Sequence, residues 1–286
     1  MQIIMRFPNG KPKALTLSYD DGVAQDIRLV SLMNQNGVRG TFNINTGLFP
    51  KEDAVFPKEQ FHRRLKRSEV LDLFLNSPHE VAVHTLMHPP LDEVPFSSAI
   101  SEIFEDCKNI EEMFKKPVRG IAYPYHGYTT DILDALSKSH FLYGRTVNSS
   151  HNFALPENPL TLWPTCHHED PELMDLAKTF IETDIEKDTP YELEPYLFYV
   201  WGHSYEFEYH KNWDIIENFI KAVSGKKDVW YATNSEIFSY IEKWKHIEFS
   251  LDRRYAQNPT DTDLFMLYDG RLASIKSGET KDFSVT

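Results

Sequence analysis

The chain has 286 residues, of which 41% are hydrophobic and 26% are charged, and its formal net charge is −13. This length permits a sizeable core, as one α/β barrel or as two smaller domains, and the composition is typical of a soluble globular protein. A nucleic-acid partner is excluded because the chain is acidic and has no Lys/Arg stripe, and repulsion disfavours a strongly acidic polymer.

The two cysteines, Cys107 and Cys166, lie far apart in the sequence and form no disulfide framework, which is compatible with a reducing compartment. The N-terminal segment has no basic leader or small-residue cleavage site, and no apolar run approaches the ~20 residues of a membrane span. We therefore expect a cytoplasmic protein without a membrane partner.

Short apolar runs alternate with longer stretches of helical period up to about residue 245. The predicted strands are 15–19, 40–43, 81–84, 121–123, 142–145, 197–201 and 229–232. The predicted helices are 23–36, 68–75, 97–114, 130–139, 172–182, 212–223 and 236–245. Alternating strands and helices favour a parallel sheet, and the number of strands suits a (β/α) barrel, which we assign to residues 1–245.

The C-terminal part of the chain has a different pattern, because the helical period stops at about His246. Short strands are predicted at 246–251, 263–268, 271–276 and 281–285. Asp269-Gly270 between two of them is a strong hairpin signal. We assign residues 246–286 to a small β appendage that caps the barrel, shapes the cleft or mediates formation of a homo-oligomer.

Two polar motifs each close an apolar, strand-like run. Asp20-Asp21 is followed by Gly22, and a His-x-x-x-His motif spans His84 and His88. One carboxylate and two imidazoles are a common ligand set for a divalent metal with an open coordination position. The second carboxylate is then free to act as a base on water at the metal, which indicates a hydrolase.

Further polar residues follow other predicted strands, namely Tyr125, Arg145 and His203. In barrels of this type the functional side chains project from the carboxyl ends of the strands. We therefore expect these residues to meet the two motifs at one mouth of the barrel.

These motifs resemble those of the polysaccharide deacetylase family, which shares the NodB-homology domain and is placed among the carbohydrate esterases. The segments that carry the resemblance are Ser18-Tyr19-Asp20-Asp21-Gly22, His84-Thr85-Leu86-Met87-His88-Pro89, Ala122-Tyr123-Pro124-Tyr125-His126-Gly127 and Tyr199-Val200-Trp201-Gly202-His203. The resemblance covers about residues 10–245. It implies a deformed, seven-stranded (β/α) barrel that removes an N- or O-acetyl group from a sugar.

The resemblance also implies a role for individual residues. Asp21, His84 and His88 would bind one divalent metal ion, expected to be zinc, and Asp20 would be the general base. His203 would be the general acid, and the N–H of Tyr125 would stabilise the oxyanion. Trp201 would wall the pocket for the acetyl methyl group. Further candidates for the substrate pocket are Tyr123, His126 and Trp163.

Two departures from the family pattern indicate a divergent member. The arginine of the third motif is replaced by Ala122, and we hypothesise that Arg145 supplies its charge. The fourth motif, Asp-x-x-Asp-Trp, is not recognisable in residues 155–170, so no residue is assigned to orient His203. The segment that contains Glu206 is expected to be solvated, and a second metal at His167-His168 is disfavoured.

The function predicted from these residues is metal-dependent removal of an N-acetyl group from a carbohydrate. One alternative is an amidase of the same fold that acts on a small non-sugar amide. Another is a non-catalytic carbohydrate-binding barrel. The sequence leaves open the exact substrate, the metal and the oligomeric state.

Overall fold

The computed structural model describes residues 2–57, 60–188 and 193–284. Eight strands of the barrel region are β2 (Lys13–Asp20), β3 (Gly40–Ile44), β4 (Glu80–Val83), β5 (Gly120–Ala122), β6 (Tyr143–Arg145), β7 (Cys166–His167), β8 (Tyr196–Gly202) and β9 (Val229–Tyr231), and they follow an N-terminal strand, β1 (Ile3–Arg6). The C-terminal strands are β10 (Glu248–Phe249), β11 (Tyr255–Gln257), β12 (Leu264–Tyr268), β13 (Arg271–Ile275) and β14 (Thr280–Asp282).

The described helices surround the central sheet. They are α1 (Asp26–Gln35), α2 (Arg67–Phe74), α3 (Phe96–Phe114), α4 (Thr130–Ser137), α5 (Leu173–Glu182), α6 (Ile185–Asp188), α7 (Ser204–His210), α8 (Trp213–Val223) and α9 (Asn234–Lys245). In the part of the chain that the structure describes, no helix is both long and apolar enough to cross a membrane.

The central sheet has the order β6-β5-β4-β3-β2-β8-β7, and all of its neighbouring strands are parallel. Strand β9 pairs with the first residues of β2, off this path. Leu162, just before β7, forms a parallel bridge to Arg145 of β6, so the sheet curls back toward its own edge. The predicted deformed (β/α) barrel with seven consecutive strands is confirmed.

Side chains of β2 alternate between two environments because successive residues of a strand point to opposite faces. Leu15, Leu17 and Tyr19 join the large hydrophobic core. On the opposite face of the strand, Ser18 and Asp20 accept hydrogen bonds from Asn43 on the neighbouring strand β3. The same alternation that builds the core therefore turns Asp20 toward the polar side of the sheet.

The first strand of the chain lies in the C-terminal β region. Strand β1 pairs antiparallel with β12, which pairs with β13, and β10, β11 and β14 form a second small sheet. The division into a barrel of residues 1–245 and an appendage of residues 246–286 stays a prediction, but the hydrogen bonds of residues 3–6 join the two parts. Position 285 of the predicted last strand lies outside the described residues.

The predicted elements in the barrel region correspond to β2 to β6, β8 and β9, and to seven of the helices, with bounds that differ by a few residues. The sequence analysis did not find β1, β7 and β11, nor helices α6 and α7. These are short elements of two to seven residues, and a periodic pattern is hard to recognise over so few positions.

Candidate active site

A cavity of about 700 Å³ opens where the strands of the central sheet end. Asp20 is the last residue of β2, Arg145 is the last of β6, and His84 and His203 follow β4 and β8 directly. The structure therefore brings these predicted residues together from four strands. A cavity of this size is typical of a small-molecule site.

Asp21, His84 and His88 form a compact set of metal-ligating atoms on this cavity. The Nε2 atoms of the two histidines are 3.1 Å apart. The Asp21 Oδ1 atom lies 3.9 Å from His84 Nε2 and 3.8 Å from His88 Nε2. Ligand atoms at about 2.0–2.1 Å from a tetrahedral zinc ion lie about 3.3 Å from one another. The spacing of the three side chains therefore fits one metal ion.

The hydrogen bonds of His84 support this assignment. Its Nδ1 atom lies 2.8 Å from the main-chain oxygen of Ala122, so Nδ1 carries the proton and Nε2 keeps its lone pair. Burial lowers the pKa of His84 to about 4, more than the neighbouring Asp20 and Asp21 raise it. A neutral imidazole with a free Nε2 lone pair is the form that binds a metal ion.

Asp21 is held by two residues that the sequence analysis missed, His62 and Arg64. The His62 Nε2 atom is 2.8 Å from Asp21 Oδ2. Arg64 donates from Nη2 to Asp21 Oδ1 at 3.0 Å and from Nη1 to the main-chain oxygen of Asp21 at 2.7 Å. Burial raises the pKa of Asp21, but the His62 hydrogen bond and the nearby His84 and Arg64 outweigh it, so the carboxyl stays ionised.

Asp20 is almost completely buried and is paired with Arg145, which is fully buried. The Arg145 Nη2 atom contacts both carboxylate oxygens, with 2.6 Å to Oδ1, and the guanidinium lies 4.4 Å from the ring centre of Trp201. Burial raises the pKa of Asp20, but Arg145, His84 and His203 together outweigh this effect and lower the pKa overall. The hypothesis that Arg145 supplies the charge missing at Ala122 therefore agrees with the geometry.

His203 has a carboxylate partner in Glu206, three residues later. The His203 Nδ1 atom lies 3.3 Å from Glu206 Oε1, and His167 Nε2 lies 3.2 Å from Glu206 Oε2. Burial lowers the pKa of His203, but the hydrogen bond to Glu206 and the charges of Asp20, Glu206 and Asp21 raise it above the ordinary value. The expectation of a solvated segment is wrong for Glu206 itself, because its side chain is only 18% exposed, whereas residues 208–210 are exposed.

The turn after β5 places Tyr125 on the cavity with a left-handed backbone. The φ angles of Tyr125 and His126 are 56° and 106°, which L-residues adopt rarely and usually only where the surrounding structure holds them. Within the described residues, the Tyr125 N–H has no hydrogen-bond acceptor. An amide without an acceptor at a cavity wall can bind an oxygen of a ligand.

Some of the residues predicted to form the substrate pocket line the cavity and others do not. Tyr123, Tyr125 and Trp201 line the cavity. In the described part of the chain, His126 and Trp163 do not line it, and Trp163 is 53% exposed. The contact of His126 and Trp163 with a substrate stays a prediction.

The residues that sequence reasoning missed left only weak signals. Glu206 stands three residues after His203, the spacing of a capping box at the start of a helix, and its carboxylate does accept from the His203 main-chain N–H at 3.2 Å. His62 and Arg64 lie in the loop between β3 and α2, and no motif marks them.

Comparison with known proteins agrees with these observations. The family model for polysaccharide deacetylase matches residues 8–144, which confirms the resemblance read from the motifs. No curated protein sequence matches the chain.

Two solved structures show the same fold. A Mycobacterium smegmatis protein assigned as a polysaccharide deacetylase is 15% identical, with a TM-score of 0.58, over 85% of this chain and 94% of that one. The peptidoglycan deacetylase PdaC from Bacillus subtilis is 16% identical, with a TM-score of 0.50, over 84% and 95% of the two chains. The match to the Streptococcus pyogenes deacetylase PplD, at 18% identity and a TM-score of 0.44, covers 51% of this chain and 61% of that protein.

Proposed function

We propose that this protein is a metal-dependent deacetylase that removes an N-acetyl group from a carbohydrate. The observation that carries the proposal is the arrangement of one carboxylate and two imidazoles beside a second, separately held carboxylate. Asp21, His84 and His88 would hold one divalent ion, and a carboxylate with two imidazoles suits zinc. When bound, such an ion supplies Lewis acidity, which polarises a carbonyl and makes water a stronger acid.

Asp20 would be the general base that takes a proton from the attacking water. Its carboxylate is kept ionised by Arg145, and both oxygens are held in place by the guanidinium. The Oδ2 atom lies 3.9 Å from His84 Nε2, so the base stands directly beside the metal ligands. A base must be ionised and close to the water that it activates, and Asp20 is ionised and lies beside the residues that would hold the metal ion.

The N–H of Tyr125 would donate to the oxygen that becomes negative when water attacks the acetamide carbonyl. A fixed donor aimed at such an oxygen lowers the barrier because it needs no reorganisation during the reaction. His203 would then protonate the leaving nitrogen, and the products are acetate and a free amine. Glu206 orients His203, since it accepts from Nδ1 and leaves Nε2 to carry the transferred proton.

The same residues could hydrolyse a small non-sugar amide by the same chemistry, so an amidase is the alternative proposal. A cytoplasmic location and a homo-oligomer likewise stay predictions.

The test combines metal analysis with acetate release. We expect about one metal ion per chain and acetate release from N-acetylglucosamine oligomers that a chelator abolishes and added Zn²⁺ restores. The Asp20→Asn variant should keep its metal and lose nearly all turnover, whereas Asp53→Asn, an exchange on the exposed loop before α2, should change neither. Chelator-insensitive acetate release would refute the metal dependence, and release from small amides alone would favour the amidase.

A further inference from the structure

Residues 62–64, just before α2, contact the carboxylate of Asp21 on both oxygens. The contacting residues are His62 on Oδ2 and Arg64 on Oδ1. Two side chains from a distant loop thus determine how the Asp21 carboxylate is oriented.

The two oxygens of Asp21 differ in what they face. Oδ1 lies 3.8–3.9 Å from the Nε2 atoms of His84 and His88, so it is the oxygen that would bind a metal ion together with them. Oδ2 lies 2.8 Å from His62 Nε2. An ionised carboxylate only accepts hydrogen bonds, so His62 donates from Nε2–H.

Arg64 makes a different kind of contact. It donates to Oδ1, the oxygen that would face the metal ion, and its other hydrogen bonds go to the main-chain oxygen of Asp21 and to Asn45 Oδ1. Asn45 in turn donates to the main-chain oxygens of His84 and Thr85. Arg64 therefore links the backbone of Asp21, through Asn45, to the backbone of His84 and Thr85. Its charge would compete with a metal ion for Oδ1.

His62 holds the carboxylate without such competition. Its ring is packed edge-on against Tyr205, with 4.7 Å between the ring centres, and its side chain is 42% exposed at the cavity wall. A donor on Oδ2, the outer oxygen, stops the carboxylate from rotating and leaves Oδ1, the inner oxygen, available to a metal ion.

We propose that His62 is a positioning residue of the metal site, which fixes the outer oxygen of Asp21 and thereby sets the affinity for the divalent ion. This inference rests on the metal site of the proposed function but not on the substrate. Partners of metal ligands typically contribute about 10–100-fold to metal affinity.

The experiment measures the Kd for Zn²⁺ of the full chain by competition with a chromophoric chelator. We expect His62→Ala to bind Zn²⁺ at least about tenfold more weakly than the wild type. His62→Gln keeps an N–H donor and should recover most of that loss. The matched control is His210→Ala, which removes a His–carboxylate contact of 2.7 Å, to Glu169, with a similar side-chain exposure of 45%.

The outcomes separate this inference from the proposed function. Unchanged Zn²⁺ affinity in His62→Ala, or an equal loss in His210→Ala, would overturn the inference while leaving the deacetylase proposal intact. An equal loss in His62→Gln and His62→Ala would overturn the assignment of His62 as a donor. If His62→Ala alone binds weakly but the wild type releases no acetate, the inference holds and the proposed reaction fails.

Discussion

Replacement of Glu206 by glutamine should move the alkaline limit of activity to lower pH. Glutamine keeps a side-chain oxygen that can accept from His203 Nδ1, but it removes the negative charge 3.3 Å away. The proposed general acid, His203, works only while it is protonated, so we expect activity to fall as the pH rises through its pKa. Because Glu206 helps to raise that pKa, the variant should lose its acid at a lower pH.

The size of the shift follows from the surroundings of the carboxylate. An opposite charge at such a distance typically raises the pKa of a histidine by about 1–3. Glu206 is 18% exposed and is shared with His167, so we expect the lower end of this range, about 1. Above both pKa values, the protonated fraction of His203 should then fall by about tenfold.

The assay is the pH profile of kcat/KM for acetate release with saturating metal. The control is Glu208→Gln, the same exchange on the same helix, whose carboxylate accepts from Trp213 Nε1 at 3.0 Å instead of facing His203. Glu208→Gln should leave the alkaline limb unchanged. If the limb of Glu206→Gln coincides with that of the wild type, Glu206 does not set the pKa of the acid.

Three further predictions concern stability. Arg145→Met leaves Asp20 buried without its cation and should lower the free energy of unfolding, measured in urea, by about 3–5 kcal/mol. The double variant with Asp20→Asn should recover part of this loss. An unchanged free energy of unfolding in Arg145→Met would refute the pairing. Gly202→Ala would place a Cβ atom 1.9 Å from His168 Nδ1, so the ring must move, and we expect a loss of about 1–3 kcal/mol, which an unchanged melting temperature would contradict. Burial raises the pKa of Asp106 to about 7, whereas an Asp in the unfolded chain has a pKa of about 4. The stability that depends on protonated Asp106 is therefore fully present below about pH 4 and is lost as the pH rises through about 7. The unfolding free energy of the wild type should therefore fall relative to that of Asp106→Asn between these pH values, by on the order of 4 kcal/mol, and parallel curves would exclude this ionisation.

The candidate metal ligands could be identified from the sequence because their pattern is local. Asp20-Asp21 and the pair His84 and His88 each lie within five residues at the end of a strand, and the parallel arrangement of β2 and β4 brings strand ends to one edge of a sheet. The barrel itself followed from the alternation of strand and helix patterns, since the hydrophobic period records which face of each element is buried.

The pairing of the chain ends could not be predicted in this way. Strand β1 lies beside β12, although some 260 residues separate Ile3 from Tyr268 in the sequence. A strand of four residues with a general apolar pattern can pair with many edges, and only the assembled barrel brings this edge within reach.

The supporting residues of the site were decided by the tertiary structure alone. Arg145 reaches Asp20 from four strands away in the sheet, and His62 reaches Asp21 from a loop. Glu206 becomes the partner of His203 at the start of α7, where its other carboxylate oxygen contacts His167 of β7. The sequence determined which residues are candidates for the chemistry, because these sit at strand ends in recognisable motifs. The structure decided which charges hold them, because a contact between distant segments depends on packing and leaves no local pattern.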